Sequence, residues 1–321
     1  MKRINNLYDK ILDPENLERA HRNARRGKGW YKEVKMVNAD TEYFLEKLRE
    51  SLINQTYQTS EYTVFETADS GKLRQIYKLP YYPDRICQWA LIQVIEPYLL
   101  RHFTDDTYSA IPGKGIHYGM RKLRSQLKSD PEGCRYCLKL DVRKYYPSID
   151  KDILKGQYRQ LFKDERLLWL IDEIIDSVEN GVPIGNYLSQ YSGNLYLSWF
   201  DHWIKEEKGI KYYHRYMDDI VILSDSKEKL HKLLEEIRDY LHNELKLTVK
   251  DNWQIFPTFV RGVDFLGYRF FDGYTLLRKQ TVKNIRTKSK QGLNQQQKAS
   301  YYGWLKHCDS YRFTEKYIKG V

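Results

Sequence analysis

Two short acidic sites lie where a folded chain normally excludes charge. Leu138 and Leu140 lead into Asp141, and the pair Asp218-Asp219 runs directly into Ile220, Val221, Ile222 and Leu223. Aliphatic and β-branched runs of this length read as buried strands. A carboxylate at the end of a buried strand loses hydration, and adjacent carboxylates repel. Such a cluster therefore needs a compensating positive charge. A divalent cation is the usual partner, and an oxygen-only donor set favours a hard ion such as Mg²⁺, bound through a few carboxylates plus substrate phosphates. Taken alone, Asp218-Asp219 also fits an ordinary polar turn between strands, because Asp is frequent in turns.

Further segments accompany these acids in a set order. Ser70-Gly71-Lys72-Leu73-Arg74-Gln75-Ile76 is basic and strand-forming, Asp141 to Asp150 carries the first acid, and Gly181 to Gln190 is a glycine-opened loop. Tyr216-Met217-Asp218-Asp219 carries the acid pair, followed by Leu245 to Phe256 and by Phe265-Leu266-Gly267-Tyr268. In this order the six segments resemble parts of a bacterial reverse transcriptase: the fingers strand, first carboxylate motif, nucleotide-pocket loop, second carboxylate motif, primer-contacting hairpin and closing palm strand. The resemblance spans nearly the whole chain. It implies an α+β right-hand polymerase with fingers, a palm built on an antiparallel sheet and a short helical thumb. The fingers would be residues 1–85 and 151–182, the palm 86–150 and 183–277, and the basic thumb 278–321. It also implies nucleotidyl transfer: a primer 3′-hydroxyl attacks the α-phosphorus of a dNTP and pyrophosphate leaves.

One departure narrows the group. Many reverse transcriptases carry Gln-Gly-x-x-x-Ser-Pro in the nucleotide-pocket loop, whereas this chain has Ile184-Gly185-Asn186-Tyr187-Leu188-Ser189-Gln190. Ile for Gln and Gln for Pro resemble the enzymes of diversity-generating retroelements, which copy a template RNA into cDNA with errors concentrated opposite template adenines. Asp201-His202 and Tyr302-Gly303-Trp304-Leu305-Lys306-His307 resemble the same group. Defence-associated bacterial reverse transcriptases, which copy a non-coding RNA, are the alternative. A non-catalytic RNA-binding protein is the reading of a different class, disfavoured because binding alone gains nothing from acids facing phosphate.

The site expected from these motifs has Asp141 and Asp218 bridging two Mg²⁺ ions, with Mn²⁺ able to substitute. Asp219 supports them, and the Val142 carbonyl is a further oxygen. Lys72 and Arg74 are expected on the triphosphate, Lys as a point charge and Arg through its planar fork; a solvated strand face is the plainer alternative. By family position, Tyr146 is the ring that blocks a ribose 2′-hydroxyl, which argues against RNA polymerisation. Gly185 is expected to let backbone approach the nucleotide, Gln190 closes the same loop, and Ile184 gives the pocket an apolar wall. Losing an amide's hydrogen bonds there weakens discrimination, so low fidelity is expected. No nuclease constellation is visible.

Charge points to the partners. The chain of 321 residues carries 54 Lys and Arg against 43 Asp and Glu, for a net charge of +11. From Arg278 onward, eleven Lys and Arg face only Asp309 and Glu315. Arg278, Lys279, Lys283, Arg286, Lys288 and Lys290 are the expected contacts to the template RNA and the primer or cDNA strand. Tyr301, Tyr302, Trp304, Tyr311 and Tyr317 interleave with cations, as stacking on bases requires. The short thumb leaves room for an accessory protein or a homo-oligomer. No apolar run approaches the ~20 residues of a membrane span, and no apolar secretory segment follows Met1. A soluble, cytoplasmic protein without membrane partners is expected. Cys134-x-x-Cys137 lacks a second Cys/His pair for zinc and reads as buried thiols.

Overall fold

The computed structural model describes residues 2–69 and 72–320. Ser70 and Gly71 lie outside the described residues, and so do the side chains of Lys72 and Arg74. The chain packs into two units. One comprises Met1–Thr104, Arg143–His202 and Leu241–Leu247; the other comprises Asp105–Val142, Trp203–Tyr240 and Thr248–Val321. These units follow where the chain packs on itself.

Among the described residues the first unit is mostly helical, with strand β1 (Thr63–Asp69) antiparallel to β2 (Lys72–Lys78), Thr63 opposite Lys78, and a lone bridge between Ile4 and Phe162. Four of its described helices start where an aspartate accepts from the free N–H groups of the first turn. Asp13 accepts from Glu15 N ahead of Pro14, Asp40 from Tyr43 N, and Asp150 from Asp152 N and Ile153 N. The stretch 151–176 forms two helices, Lys151–Leu161 and Glu165–Asp176. Asp164 divides them: it caps the second through Leu167 N and also accepts from Leu7 N (2.7 Å) and Tyr8 N (2.9 Å). The stretch 187–207 is likewise divided, into Tyr187–Tyr196, Ser198–His202 and Trp203–Glu207. Ser198 Oγ donates back to the Leu195 carbonyl (2.6 Å), a bond that competes with the helical ladder.

The second unit holds the main sheet, antiparallel in the order β4-β5-β3-β6. Its strands are β3 (Tyr136–Asp141), β4 (Tyr212–Tyr216), β5 (Asp219–Ser224) and β6 (Gln254–Pro257). A smaller antiparallel sheet follows from β7 (Val263–Phe265), β8 (Tyr268–Phe270) and β9 (Thr275–Leu277). The segment Leu245 to Phe256, expected as a hairpin, does not fold on itself. Val249 makes a lone bridge to Val142, and β6 pairs with β3. Conversely, Phe265-Leu266-Gly267-Tyr268, expected as one strand, is a tight turn with Leu266 at φ 52° and Gly267 at φ 85°. Trp304 packs over Gly267 so closely that a Cβ would lie 2.6 Å from its ring. Only glycine satisfies both demands.

One apolar cluster joins the two sheets to the C-terminal helices. Val221, Leu223 and Phe256 share it with Phe265, Tyr268, Ile285, Leu305 and Ile318. Cys134 and Cys137 are buried free thiols in that cluster. Among the described residues no helix is long and apolar enough to cross a membrane.

Candidate active site

Strand register assembles the acids. β3 and β5 place Asp141 directly opposite Asp219, and β4 places Tyr216 opposite that same residue. The β4–β5 turn is therefore just Met217-Asp218. Met217 sits at φ 54°, a region that L side chains seldom adopt and that glycine usually fills at such a position. Fully buried Arg215 pins the turn, donating to the Met217 carbonyl at 3.1 Å and to Thr107 Oγ1 at 3.3 Å.

Crowding shapes the electrostatics. Burial pushes the Asp218 carboxyl up to about 7, reinforced by the neighbouring Asp141 carboxyl. Asp219 is raised as well, first by burial and then by Asp141 and Asp264, against the pull of Lys139 and Arg278. Its side chain remains 30% exposed, so protein atoms surround it without sealing it from solvent. Two lysines answer this charge. The Lys250 ammonium pairs with Asp141 Oδ2, and its backbone N–H donates to the Asp141 carbonyl at 2.9 Å. Lys139 Nζ lies 3.6 Å from Asp219 Oδ1 and donates to the Asp264 carbonyl at 2.5 Å.

The donor chemistry fits a hard divalent cation. Asp141 Oδ1 and Asp219 Oδ1 are buried without a hydrogen-bond partner among the described residues, a costly state that an ion would relieve. With Asp141 drawn to Lys250 and Asp219 to Lys139, no three acidic, thiol or imidazole groups among the described residues converge tightly enough to hold one. Val142 is fully buried and bridges to Val249.

The residues expected around the nucleotide belong to the first unit. Ile184 is half-buried, and its carbonyl accepts from Tyr77 N of β2 at 2.9 Å. Gly185, at φ 124°, lies so close to β2 that a Cβ would come within 2.5 Å of the Tyr77 carbonyl. The glycine requirement here is thus set by packing on β2. Gln88 Oε1 accepts from Tyr187 N (2.9 Å) and Leu188 N (3.2 Å), capping the helix that follows the loop. Gln190 is exposed on that helix. Tyr146 is half-buried, and a Cβ on Gly193 would lie 3.5 Å from its ring.

Comparison with known proteins follows the same lines. Residues 65–270 match the family described as reverse transcriptase (RNA-dependent DNA polymerase). This chain belongs to that family. The reverse transcriptase is 26% identical to Protein YkfC of Escherichia coli (strain K12), across 87% of its own length and 84% of that protein's. It is 24% identical to the group II intron-encoded protein LtrA of Lactococcus lactis subsp. cremoris, across 75% of its length but 39% of LtrA. In fold it is similar to telomerase from Candida albicans in complex with a TWJ fragment of telomeric RNA. That similarity has a TM-score of 0.54 at 13% identity, over 79% of this chain and 56% of the telomerase chain. The fold is thus that of reverse transcriptases, and the protein is an RNA-directed DNA polymerase by family.

The basic C-terminal residues of this reverse transcriptase are sorted by the helix that carries most of them, Lys279–Ser289. Arg278, just before it, is committed to Asp264 Oδ1 at 2.6 Å. Lys279, Lys283, Arg286 and Lys290 share one face and line a cavity of about 680 Å³ floored by Leu276, Val282 and Phe313. Arg286 lies over the Phe313 and Tyr317 rings. Lys288 is exposed and stands outside that lining. Sequence reading missed Lys139, Lys250 and Asp264. Lys139 was detectable, since a lysine two residues before Asp141 on a strand shares its face; nothing in the sequence singles out Lys250.

Proposed function

We propose that this reverse transcriptase copies a dedicated template RNA into error-rich cDNA, in the manner of diversity-generating retroelements. Asp141 and Asp218 hold the metal ions in this reading, with Asp219 supporting them. Reverse transcriptase domains use divalent metal ions, and two Mg²⁺ here would lower the pKa of the primer hydroxyl and neutralise the leaving phosphates. Lys139 and Lys250 balance the acids when no cation is bound. Lys72 and Arg74 take the triphosphate, Tyr146 excludes a ribose 2′-hydroxyl, and Lys279, Lys283, Arg286 and Lys290 follow the phosphate backbone. The observation that carries the error-prone reading is Ile184, an aliphatic side chain at the loop position where many relatives have an amide, on a backbone tied to β2.

Primer extension on an adenine-containing RNA with Mg²⁺, followed by sequencing, is the test. Errors concentrated opposite adenines, absent with Asp218→Asn, are the expected result. Accurate cDNA would overturn the diversity-generating reading and favour a defence enzyme that copies a non-coding RNA. Extension by Asp218→Asn at the wild-type rate would overturn the site assignment.

A further inference from the structure

A second cavity, of about 350 Å³, opens in the sheet-bearing unit, lined by residues distinct from the acids. Two segments that the polymerase reading leaves unused form its wall. Helix Ile116–Ser129, which follows Gly113-Lys114-Gly115, gives His117, Arg121 and Arg124. The turn after helix Gln295–Leu305 gives Lys306, His307 and Cys308. The His117 and His307 rings lie 4.0 Å apart, tilted by 42°. Arg124 fixes the wall, donating to the His307 carbonyl at 2.8 Å and to Thr275 Oγ1 at 3.1 Å. Asp309 also lines the cavity, but its Oδ2 already accepts from Thr275 N at 2.7 Å. Arg121 and Lys306 have no acidic partner among the described residues.

Exposed cations usually form a solvated face. Here three cations and two imidazoles from distant parts of the chain converge on one concavity, which concentrates positive potential. Burial and the neighbouring His117, Lys306, Arg124 and Arg121 hold the His307 pKa down. Surroundings that disfavour a proton favour an anion. The volume lies near the lower end of small-ligand pockets, enough for a phosphate and part of the group that bears it.

We propose that this cavity binds a phosphate monoester of nucleotide size, separate from the polymerase chemistry. Arg121 and Lys306 hold the phosphate, and imidazole N–H groups of His117 and His307 donate to it. A free nucleotide and the 5′-phosphate end of an RNA present the same chemistry. Titrating the full chain with AMP, a 5′-phosphorylated short RNA and its 5′-hydroxyl counterpart separates the two sources. AMP binding assigns a free nucleotide; preference for the phosphorylated RNA without AMP binding assigns a strand end. Arg121→Glu with Lys306→Glu is expected to weaken the phosphate-dependent binding by about ten-fold or more. Lys128→Glu, an exposed charge on the same helix outside the lining, is expected to leave it intact. If the wild type neither binds AMP nor distinguishes the two RNAs, the site does not exist. Equal losses in the two variants would reduce it to diffuse surface charge. Arg121→Gln provides the milder replacement should the charge reversals unfold the protein. Binding is read without polymerisation, so failure of the polymerase assignment leaves this test intact.

Discussion

Lys250 occupies the role at Asp141 that a cation would take over. Its ammonium is the partner of Asp141 Oδ2, while Asp141 Oδ1 stays buried and unpartnered. Replacing it with an apolar side chain of similar length leaves a partly buried carboxylate beside Asp218 with no counter-charge. The Asp141 side chain is 34% exposed, so solvent screening limits the loss to about 1–2 kcal/mol. Lys250→Met is expected to melt lower than wild type without divalent ions and to gain more from added Mg²⁺. Equal Mg²⁺ shifts in both proteins, read by thermal denaturation, would show that lysine and ion do not share the site. In the nucleotide loop, Ile184→Gln should lower the error frequency in sequenced cDNA, since an amide restores hydrogen-bonded discrimination; an unchanged spectrum would remove Ile184 from the fidelity argument. Tyr146→Ala should admit ribonucleotides in the same extension reaction, and unaltered sugar selection would return Tyr146 to a packing role. Asp141, Asp218 and Asp219 were legible in the sequence because acids at the ends of apolar runs demand an explanation. Lys250 was not, since it reaches Asp141 across 109 residues of chain through a lone β-bridge.

Strand β4 carries the turn with the acids, and its interior depends on a neutral histidine. His214 is fully buried between Tyr108, whose hydroxyl lies 2.7 Å from Nδ1, and Gln126, whose Oε1 lies 2.7 Å from Nε2. Because Gln126 Oε1 can only accept, Nε2 carries the proton and Nδ1 accepts from the tyrosine. Burial drives the His214 pKa down to about 3, outweighing the opposite pull of Asp106. An unfolded histidine titrates near 6.5, so the unfolded chain binds the extra proton first as pH falls. Stability linked to this residue is complete above about pH 6.5 and is lost as pH drops toward 3, by about 3 kcal/mol between pH 7 and pH 4. Urea denaturation across that range should show the loss in wild type and a flatter dependence in His214→Gln; parallel curves would rule His214 out as its source. Strands such as β3 and β5 were readable because a two-residue period and an apolar run are local properties. The break at Asp164 was not, because its carboxylate answers N–H groups of Leu7 and Tyr8 more than 150 residues away.

At the scale of the molecule, the sequence reveals charge more readily than grouping. Counting residues locates the basic excess beyond Leu277, but no local pattern says that Asp105–Val142, Trp203–Tyr240 and Thr248–Val321 form one unit. Register between distant strands and shared apolar burial decide that, through pairs such as Leu138 with Ile222 and Ile255. The structure then resolves the excess into residues with different duties, since Arg278 is spent on Asp264 while Lys279, Lys283 and Lys290 line one face of their helix. If that face follows a single-stranded RNA backbone, each cation releases a counterion and steepens the salt dependence of binding by about 0.7 in log–log slope. Replacing Lys279, Lys283 and Lys290 together by Gln should therefore lower the slope by about 2, leaving Arg286 on its aromatic rings. Lys288→Gln, on the same helix but away from that face, should change it far less. Affinities measured across a salt series decide the matter: a triple variant with the wild-type slope would make the stripe a solvated surface and move the nucleic-acid path elsewhere on the protein.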